Sequence, residues 1–361
     1  MSKEIFEQIY SLLDEYFEMS DSMVTKGFPW AVIISLHEVY RHLYPTEPYI
    51  ETYSVKDSEK PKYLLELLEK QRRYYSGIMG SVLPYKALSP ENLRDVYESD
   101  EDTSTETATS TLYGNLWDKF VLDNVLEESK KLLNRRINSH RFGLIELAGK
   151  TVLDLGCGSG RYTIALSTYD SRNTIGFDIG GKGIEIGEEI VKTHGIRNVK
   201  FIRGNVLDLP FEDETFDFVF CNGVLHHTKN MEMGLSELYR VVRTGGTAFL
   251  YLYADYGLFW NFRKRARRIT SRIPSGYAQQ VLNVIGLPSN RFIFMDTWYV
   301  PIERHISKDE LENILLNGTG FSSIEKLVST NETDLDFQRA SDNPNARELY
   351  GDGEHRYLLF K

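Results

Sequence analysis

From Lys150 onward the chain alternates short β-type runs with helix-patterned stretches, and that alternation leaves few architectures open. TVLDL (Thr151–Leu155), NTIGFD (Asn173–Asp178), VKFIRG (Val199–Gly204), FDFVFCN (Phe216–Asn222) and GTAFLYLYA (Gly246–Ala254) read as strands. RYTIALS, GIEIGEEIVKTHG and GLSELYRVV read as the helices between them. The expected product is a doubly wound, Rossmann-like α/β sheet with helices on both faces, and ligands in such sheets bind beyond the carboxyl ends of the strands. FSSIEKLVS (Phe321–Ser329) and HRYLLFK (His355–Lys361) add two strands, read as an antiparallel closing hairpin. The first hundred residues are different in texture. Apolar residues recur at helical spacing in Ile5–Phe17, Trp30–Leu43 and Tyr63–Tyr75, punctuated by Pro45, Pro48 and Pro61. The organisation expected is a helical region 1–97, an acidic Thr-rich linker 98–111 and a main domain 112–361 with an insertion at about 254–306.

The first strand ends in VLDLGCGSG, with glycines at 156, 158 and 160. Glycine is required where φ is positive or where something must lie against bare backbone. A dinucleotide loop spaces its glycines G-x-G-x-x-G, whereas Arg161 stands in the last of those positions here. Asp178 closes the second strand, where a carboxylate can accept both hydroxyls of a ribose. It equally suits the N-terminus of the helix that follows. With 42 Lys and Arg against 52 Asp and Glu, a net charge of −10 makes nucleic acid an unexpected partner. Two cysteines are too few for a disulfide framework, MSKEIFEQIY does not read as a leader, and no apolar run approaches bilayer length. The expected setting is cytoplasmic, with Cys157 and Cys221 as reduced thiols on the pocket floor. HEVYRH (His37–His42) has the wrong histidine spacing for a helical zinc pair and reads as helix surface, and no metal site is expected.

VLDLGCGSG, GFD, GNVLDLPF, FDFVFCNGVLHH and LYRVVRTGG occur in that order, and the succession resembles the class I S-adenosylmethionine-dependent methyltransferases of the small-molecule, quinone-methylase-like group. The resemblance covers about Tyr113 to Phe321. It implies a seven-stranded sheet, S-adenosylmethionine as cofactor and methyl transfer to a small-molecule, saccharide or lipid-linked acceptor, at oxygen in preference to carbon. Gly156, Cys157, Gly158 and Gly160 would then underlie the methionine portion, with Asp154 ordering the loop. Asp178 would hold the ribose and Ile179 would pack on adenine. Asn205 stands where the family usually has Asp facing the adenine amino group, beside the backbone of Val206. Asn222 would face the methionine carboxylate. Tyr113 and Trp117 would belong to a helix folding over the cofactor. His226, His227 and His305 are the candidate bases, the last with Tyr299, Glu303 and Arg304 as neighbours, ahead of a helix capped by Ser307.

YADYGLFWNFRKRARRITSRIP (Tyr253–Pro274) concentrates six basic residues among Phe259, Trp260 and Phe262. Three readings stand: a solvated helix face, recognition of an anionic acceptor, and peripheral membrane contact through 257–272. The N-terminal helices are open to oligomer formation. A non-catalytic S-adenosylmethionine-binding subunit and a nucleotide-dependent oxidoreductase are the alternative functions.

Overall fold

A computed structural model describes residues 2–43, 59–81, 89–97, 127, 129–131, 133, 146–287, 291–327 and 345–361. The chain divides into two compact units. One comprises Met1–Asp102, Tyr256–Val300 and Glu332–Gly351, the other Thr103–Asp255, Pro301–Asn331 and Asp352–Lys361.

The second unit holds the sheet. Its strands are β1 (Thr151–Leu155), β2 (Asn173–Asp178), β3 (Val199–Arg203), β4 (Phe216–Asn222), β5 (Val242–Tyr253), β6 (Ser323–Lys326) and β7 (Glu354–Phe360), in the order β3-β2-β1-β4-β5-β7-β6. The first five are parallel; β7 runs antiparallel to both β5 and β6. The seven-stranded α/β fold read from the sequence is the fold observed, and the last two strands pair antiparallel as expected. One detail differs. The RTGG turn lies inside β5, where Val242 pairs with Phe216 but Thr247 pairs with Phe218, so the extra residues bulge outward. Gly245, at φ 77°, makes that bulge feasible.

Leu153, Leu155, Phe216, Val219, Leu250, Leu252 and Leu359 are fully buried, which explains why these strands read as near-continuous apolar runs. Beyond β3 the chain returns to place β4 beside β1, so strand order reverses between those two strands. That reversal opens the crevice in which doubly wound sheets bind ligands.

His355 on β7 is wholly buried, and its Nε2 lies 2.8 Å from the Ile306 carbonyl. Burial pulls its pKa down to about 4, with the carbonyl opposing. An unfolded histidine titrates near 6.5, so the stability of the neutral ring is intact above that pH and is lost as pH falls towards 4. His355→Leu is expected to reduce the loss of stability between pH 6.5 and 4.5 by up to about 3 kcal/mol, read from urea midpoints at the two pH values. An unchanged acid limb would contradict this.

The first unit contains α1 (Ser2–Thr25), α2 (Pro29–Leu43), α3 (Lys60–Ser81) and α4 (Pro90–Tyr97). Phe6, Ile9, Leu13, Tyr16 and Phe17 line one buried face of α1 at three- and four-residue steps. A buried chain runs from Tyr16 through Ser35 to Gln71 and ties α1, α2 and α3 together. HEVYRH is not helix surface: His37 and His42 are 7 % and 6 % exposed, His42 packing on Tyr63 and His37 facing Phe294.

In the basic aromatic insertion the phenylalanines and the tryptophan part company with the basic Arg268, the former buried and Arg268 exposed. Its segment of the second sequence half, Gly257–Thr270, is a helix whose Phe259, Trp260 and Phe262 are buried in the unit's core. The aromatic side chains that membrane contact through 257–272 would need are therefore spent on packing. Arg265 pairs with Asp14, Arg272 with Asp21, and Arg267 donates to the carbonyls of Thr297 and Val300. Among the described residues no helix is long and apolar enough to cross a membrane.

Candidate functional site

The glycine loop leaves β1 and enters the helix Arg161–Ser167. Gly156, Gly158 and Gly160 have φ of 77°, 55° and 78°, a region costly for any residue with a Cβ. Two of them also have a packing reason that the sequence did not disclose. A Cβ on Gly156 would stand 2.2 Å from a Val224 methyl, and one on Gly160 would stand 2.4 Å from the Phe201 ring. Gly176 and Gly187 meet the same ring, so Phe201 occupies a slot walled by glycine backbone. Gly156→Ala is expected to lower the melting temperature by several degrees and S-adenosylhomocysteine affinity by more than about tenfold. Calorimetry and a melting scan check it; wild-type values for both would refute the reading.

Asp178, at the end of β2, receives the amide N–H of Gly158 at 2.9 Å and that of Gly180 at 2.7 Å on its two oxygens. Each carboxylate oxygen keeps a further lone pair for a hydroxyl donor. Burial raises its pKa, and the amides of Gly180, Gly158 and Ile179 oppose the rise. Asp154 is 2 % exposed and accepts a 2.6 Å bond from Thr163 Oγ1, which fastens β1 to the following helix. Desolvation pushes its pKa up to about 7, helped by the Asp178 charge and opposed by Thr163. Two carboxylates beside the loop favour a cation and disfavour a diphosphate.

Gly156 and Cys157 both donate their N–H to the Phe177 carbonyl, at 2.7 and 3.1 Å. The Cys157 side chain packs with Ile184 and Phe201, whereas Cys221 lies in the main core with Leu155 and Leu250. The two free thiols are buried in separate clusters and share no floor, and desolvation raises both pKa values. Asn205 is exposed, and its Oδ1 accepts from the Leu207 N–H at 2.9 Å, shaping the turn after β3 in which Val206 is buried. The Ile179 carbonyl accepts from Arg203 Nε. Tyr113 and Trp117 lie outside the described residues, as does the segment 98–111.

At the end of β4, Asn222 Oδ1 is buried and has no hydrogen-bond partner among the described residues. A buried acceptor in that state costs free energy unless a ligand supplies a donor. It thus suits an ammonium group, while the amide nitrogen of the same side chain suits a carboxylate. With the glycine cradle and the carboxylates, the residues fit the amino-acid end and ribose of S-adenosylmethionine.

Leu225–His227 forms a short turn beyond β4. His227 Nδ1 lies 2.8 Å from the Ile302 carbonyl, which accepts only, so Nδ1 carries a proton. His226 is buried against Tyr253, ring centroids 3.8 Å apart and 23° from parallel. Its carbonyl accepts from the Arg304 N–H at 2.8 Å. Segment 302–304 therefore clamps both histidines from the far side of the turn. His305 sits differently. Nδ1 is 2.8 Å from the Ala254 carbonyl and Nε2 is 2.9 Å from Glu303 Oε1, so both ring nitrogens are engaged and the residue serves to position the loop. Ser307 caps the next helix, Lys308–Asn313, as expected, by accepting from the Glu310 N–H.

Residues missed from the sequence complete this wall. Tyr251 and Tyr253 of β5 face Arg356 and Glu354 of β7 across the ladder. The Tyr251 hydroxyl donates to Glu354, which pairs with Arg356 at 2.6 Å, and Arg356 lies over the Tyr251 ring. The signal was present in the two-residue periods YLY and EHR, which put polar and aromatic groups on one face of otherwise apolar strands.

Residues 146–279 match the family model of a methyltransferase domain. Similar proteins include demethylmenaquinone methyltransferases from Geobacillus sp. (strain WCH70), 39 % identical over 27 % of this chain and 43 % of the relative, and from Geobacillus stearothermophilus, 34 % identical over 32 % and 48 %. The chain thus spans less than half the length of these relatives. Among solved structures, the YcgJ protein of Bacillus subtilis aligns over 64 % of this chain and 96 % of its own, at 19 % identity and a TM-score of 0.39.

Proposed function

We propose that this chain, which carries a methyltransferase domain of the class I, S-adenosylmethionine-dependent type, transfers a methyl group to a small aromatic acceptor with a hydroxyl. The observation that carries the reading is His227, a candidate base just beyond the end of β4 whose ring is oriented by the contact of Nδ1 with the Ile302 carbonyl. When bound, the cofactor supplies an electrophilic methyl group on a sulfonium sulfur. Asn222 Oδ1 accepts from its ammonium end, Asp178 takes the ribose hydroxyls on its remaining lone pairs, and Ile179 and Val206 flank adenine. His227 Nε2 accepts the acceptor's proton, a task that contributes about 10²- to 10⁴-fold in rate. The stacked His226 and Tyr253 rings exclude water from that side.

The named activity of the Geobacillus relatives supports an acceptor of quinone-related type. Recognition of a phosphorylated acceptor by the basic insertion has lost its support, because Arg265, Arg267 and Arg272 already have partners in their own unit.

The test is calorimetry with S-adenosylhomocysteine and with NAD, followed by mass spectrometry of phenolic and quinol compounds incubated with protein and S-adenosylmethionine. Binding of the first ligand alone, and a product heavier by one methylene, are expected. Binding of NAD alone, or cofactor binding without any methylated product, would sink the proposal in favour of an oxidoreductase or a non-catalytic subunit.

A further inference from the structure

Three strands carry one row of side chains at the carboxyl ends of β4 and β5. Asn222 of β4 is in register with Tyr251 of β5, and Tyr251 with Arg356 of β7, so the three share a face at strand spacings of about 4.8 Å. One step further along β5, Tyr253 is in register with Glu354 on that same face. Tyr251, Glu354 and Arg356 are 8 %, 8 % and 2 % exposed. They close a ring of contacts. The Tyr251 hydroxyl donates to Glu354 Oε1 at 2.5 Å, Arg356 donates to Glu354 Oε2 at 2.6 Å, and Arg356 Cζ lies 4.5 Å from the centre of the Tyr251 ring. The tyrosine also supports the turn that follows Asn222. A Cβ on Gly223 would stand 3.4 Å from Tyr251 Cδ1, and the Gly223 N–H donates to the Tyr251 carbonyl at 3.2 Å.

A buried ion pair contributes little net stability over apolar side chains of the same volume, because both charges lose their water. What this pair supplies is position: it holds the Tyr251 ring by its hydroxyl and by its face at once. We infer that Tyr251, Glu354 and Arg356 are positioning residues for the cofactor, bracing the Asn222–Gly223 turn so that Asn222 Oδ1 meets the ammonium group of the amino-acid end. The inference rests on the methyltransferase reading and on the role of Asn222 in it. That turn needs support from outside. Among the described residues no hydrogen bond to Asn222 Oδ1 helps to hold the side chain, and the next residue is a glycine at φ 79°, the most permissive backbone a chain offers. Tyr251 restrains it from the neighbouring strand with both its ring and its carbonyl. The last strand of the sheet thereby bears on a cofactor contact two strands away.

The probes are S-adenosylhomocysteine and 5′-methylthioadenosine, which share the adenosine and differ in the amino-acid end, titrated against the whole chain by calorimetry. Tyr251→Phe keeps the ring and removes the bond to Glu354. It is expected to weaken S-adenosylhomocysteine about fivefold and 5′-methylthioadenosine less than about twofold. In an Asn222→Ala background the same substitution is expected to change S-adenosylhomocysteine affinity less than about twofold, because the group it positions is gone. Glu354→Gln, whose amide oxygen still accepts from the Tyr251 hydroxyl, should retain more S-adenosylhomocysteine affinity than Glu354→Ala. Where Glu354→Ala fails to fold, with Arg356 deprived of its carboxylate, Tyr251→Phe and the Asn222 cycle decide. Equal losses for the two ligands in Tyr251→Phe, wild-type affinity for both, or an undiminished loss in the Asn222→Ala background would overturn the inference alone. A wild-type chain that does not bind S-adenosylhomocysteine would refute the methyltransferase reading, and the inference with it.

Discussion

Replacing His227 with alanine is expected to lower the methyl-transfer rate about 10²- to 10⁴-fold at saturating acceptor, with S-adenosylhomocysteine affinity changed less than twofold. The two effects separate because the His227 ring is anchored to the Ile302 carbonyl beyond β4, while the groups assigned to the cofactor belong to the glycine loop, Asp178 and Asn222. His305→Ala serves as the comparison. With both its nitrogens engaged by Ala254 and Glu303, it should disturb stability and acceptor KM more than kcat. The assignment is reversed if His305→Ala is the variant that loses kcat while His227→Ala retains it. Single-turnover rates at saturating cofactor supply the measurement.

Asp154→Asn is expected to make the cofactor-free protein more stable at pH 8 by a few kcal/mol, and less able to bind S-adenosylhomocysteine. The folded carboxyl titrates near 7 and the unfolded one near 3.8, so its folded form prefers to hold a proton. Burying it costs nothing below pH 3.8, progressively more between 3.8 and 7, and the full amount above 7. Asparagine removes that cost. A cationic ligand end beside Asp154 favours the ionised form, so wild-type affinity should fall as pH drops below 7, approaching tenfold per unit, and the variant should show a flatter profile. Melting scans at pH 5.5 and 8 test the first part and calorimetry across the same range the second. A variant that is no more stable than wild type at pH 8 would show that Asp154 is solvated in the folded state.

The sheet was readable because its strands are buried on both faces and appear as apolar blocks between turn residues; TVLDL, NTIGFD and FDFVFCN match their observed bounds. The reason for the glycines was only half readable. Positive φ follows from the turn, but the Phe201 slot depends on a residue forty positions away that meets Gly160, Gly176 and Gly187 only once β3 joins the sheet. The histidines were equally incomplete. HH after a strand offers candidate bases, yet how each ring is held depends on the carbonyls of Ile302 and Ala254, and carbonyls leave no trace in sequence. The arginines of the insertion misled because charge density in sequence carries no information about partners; Asp14 and Asp21 lie some 250 positions earlier.

β7 lies between β5 and β6, antiparallel to both, although it follows them in the chain. A ribosome delivers β5 roughly a hundred residues before the strand that covers it, and two segments of the other unit emerge in the interval. Throughout that interval β5 has an open ladder on one side, with Phe249, Leu250 and Leu252 alongside. Such an edge is a template for pairing with another nascent chain. Yield in a host cell should therefore depend on chaperone supply and translation speed more steeply than the finished protein's stability suggests, and shortening the chain before Glu354 should send it to the insoluble fraction.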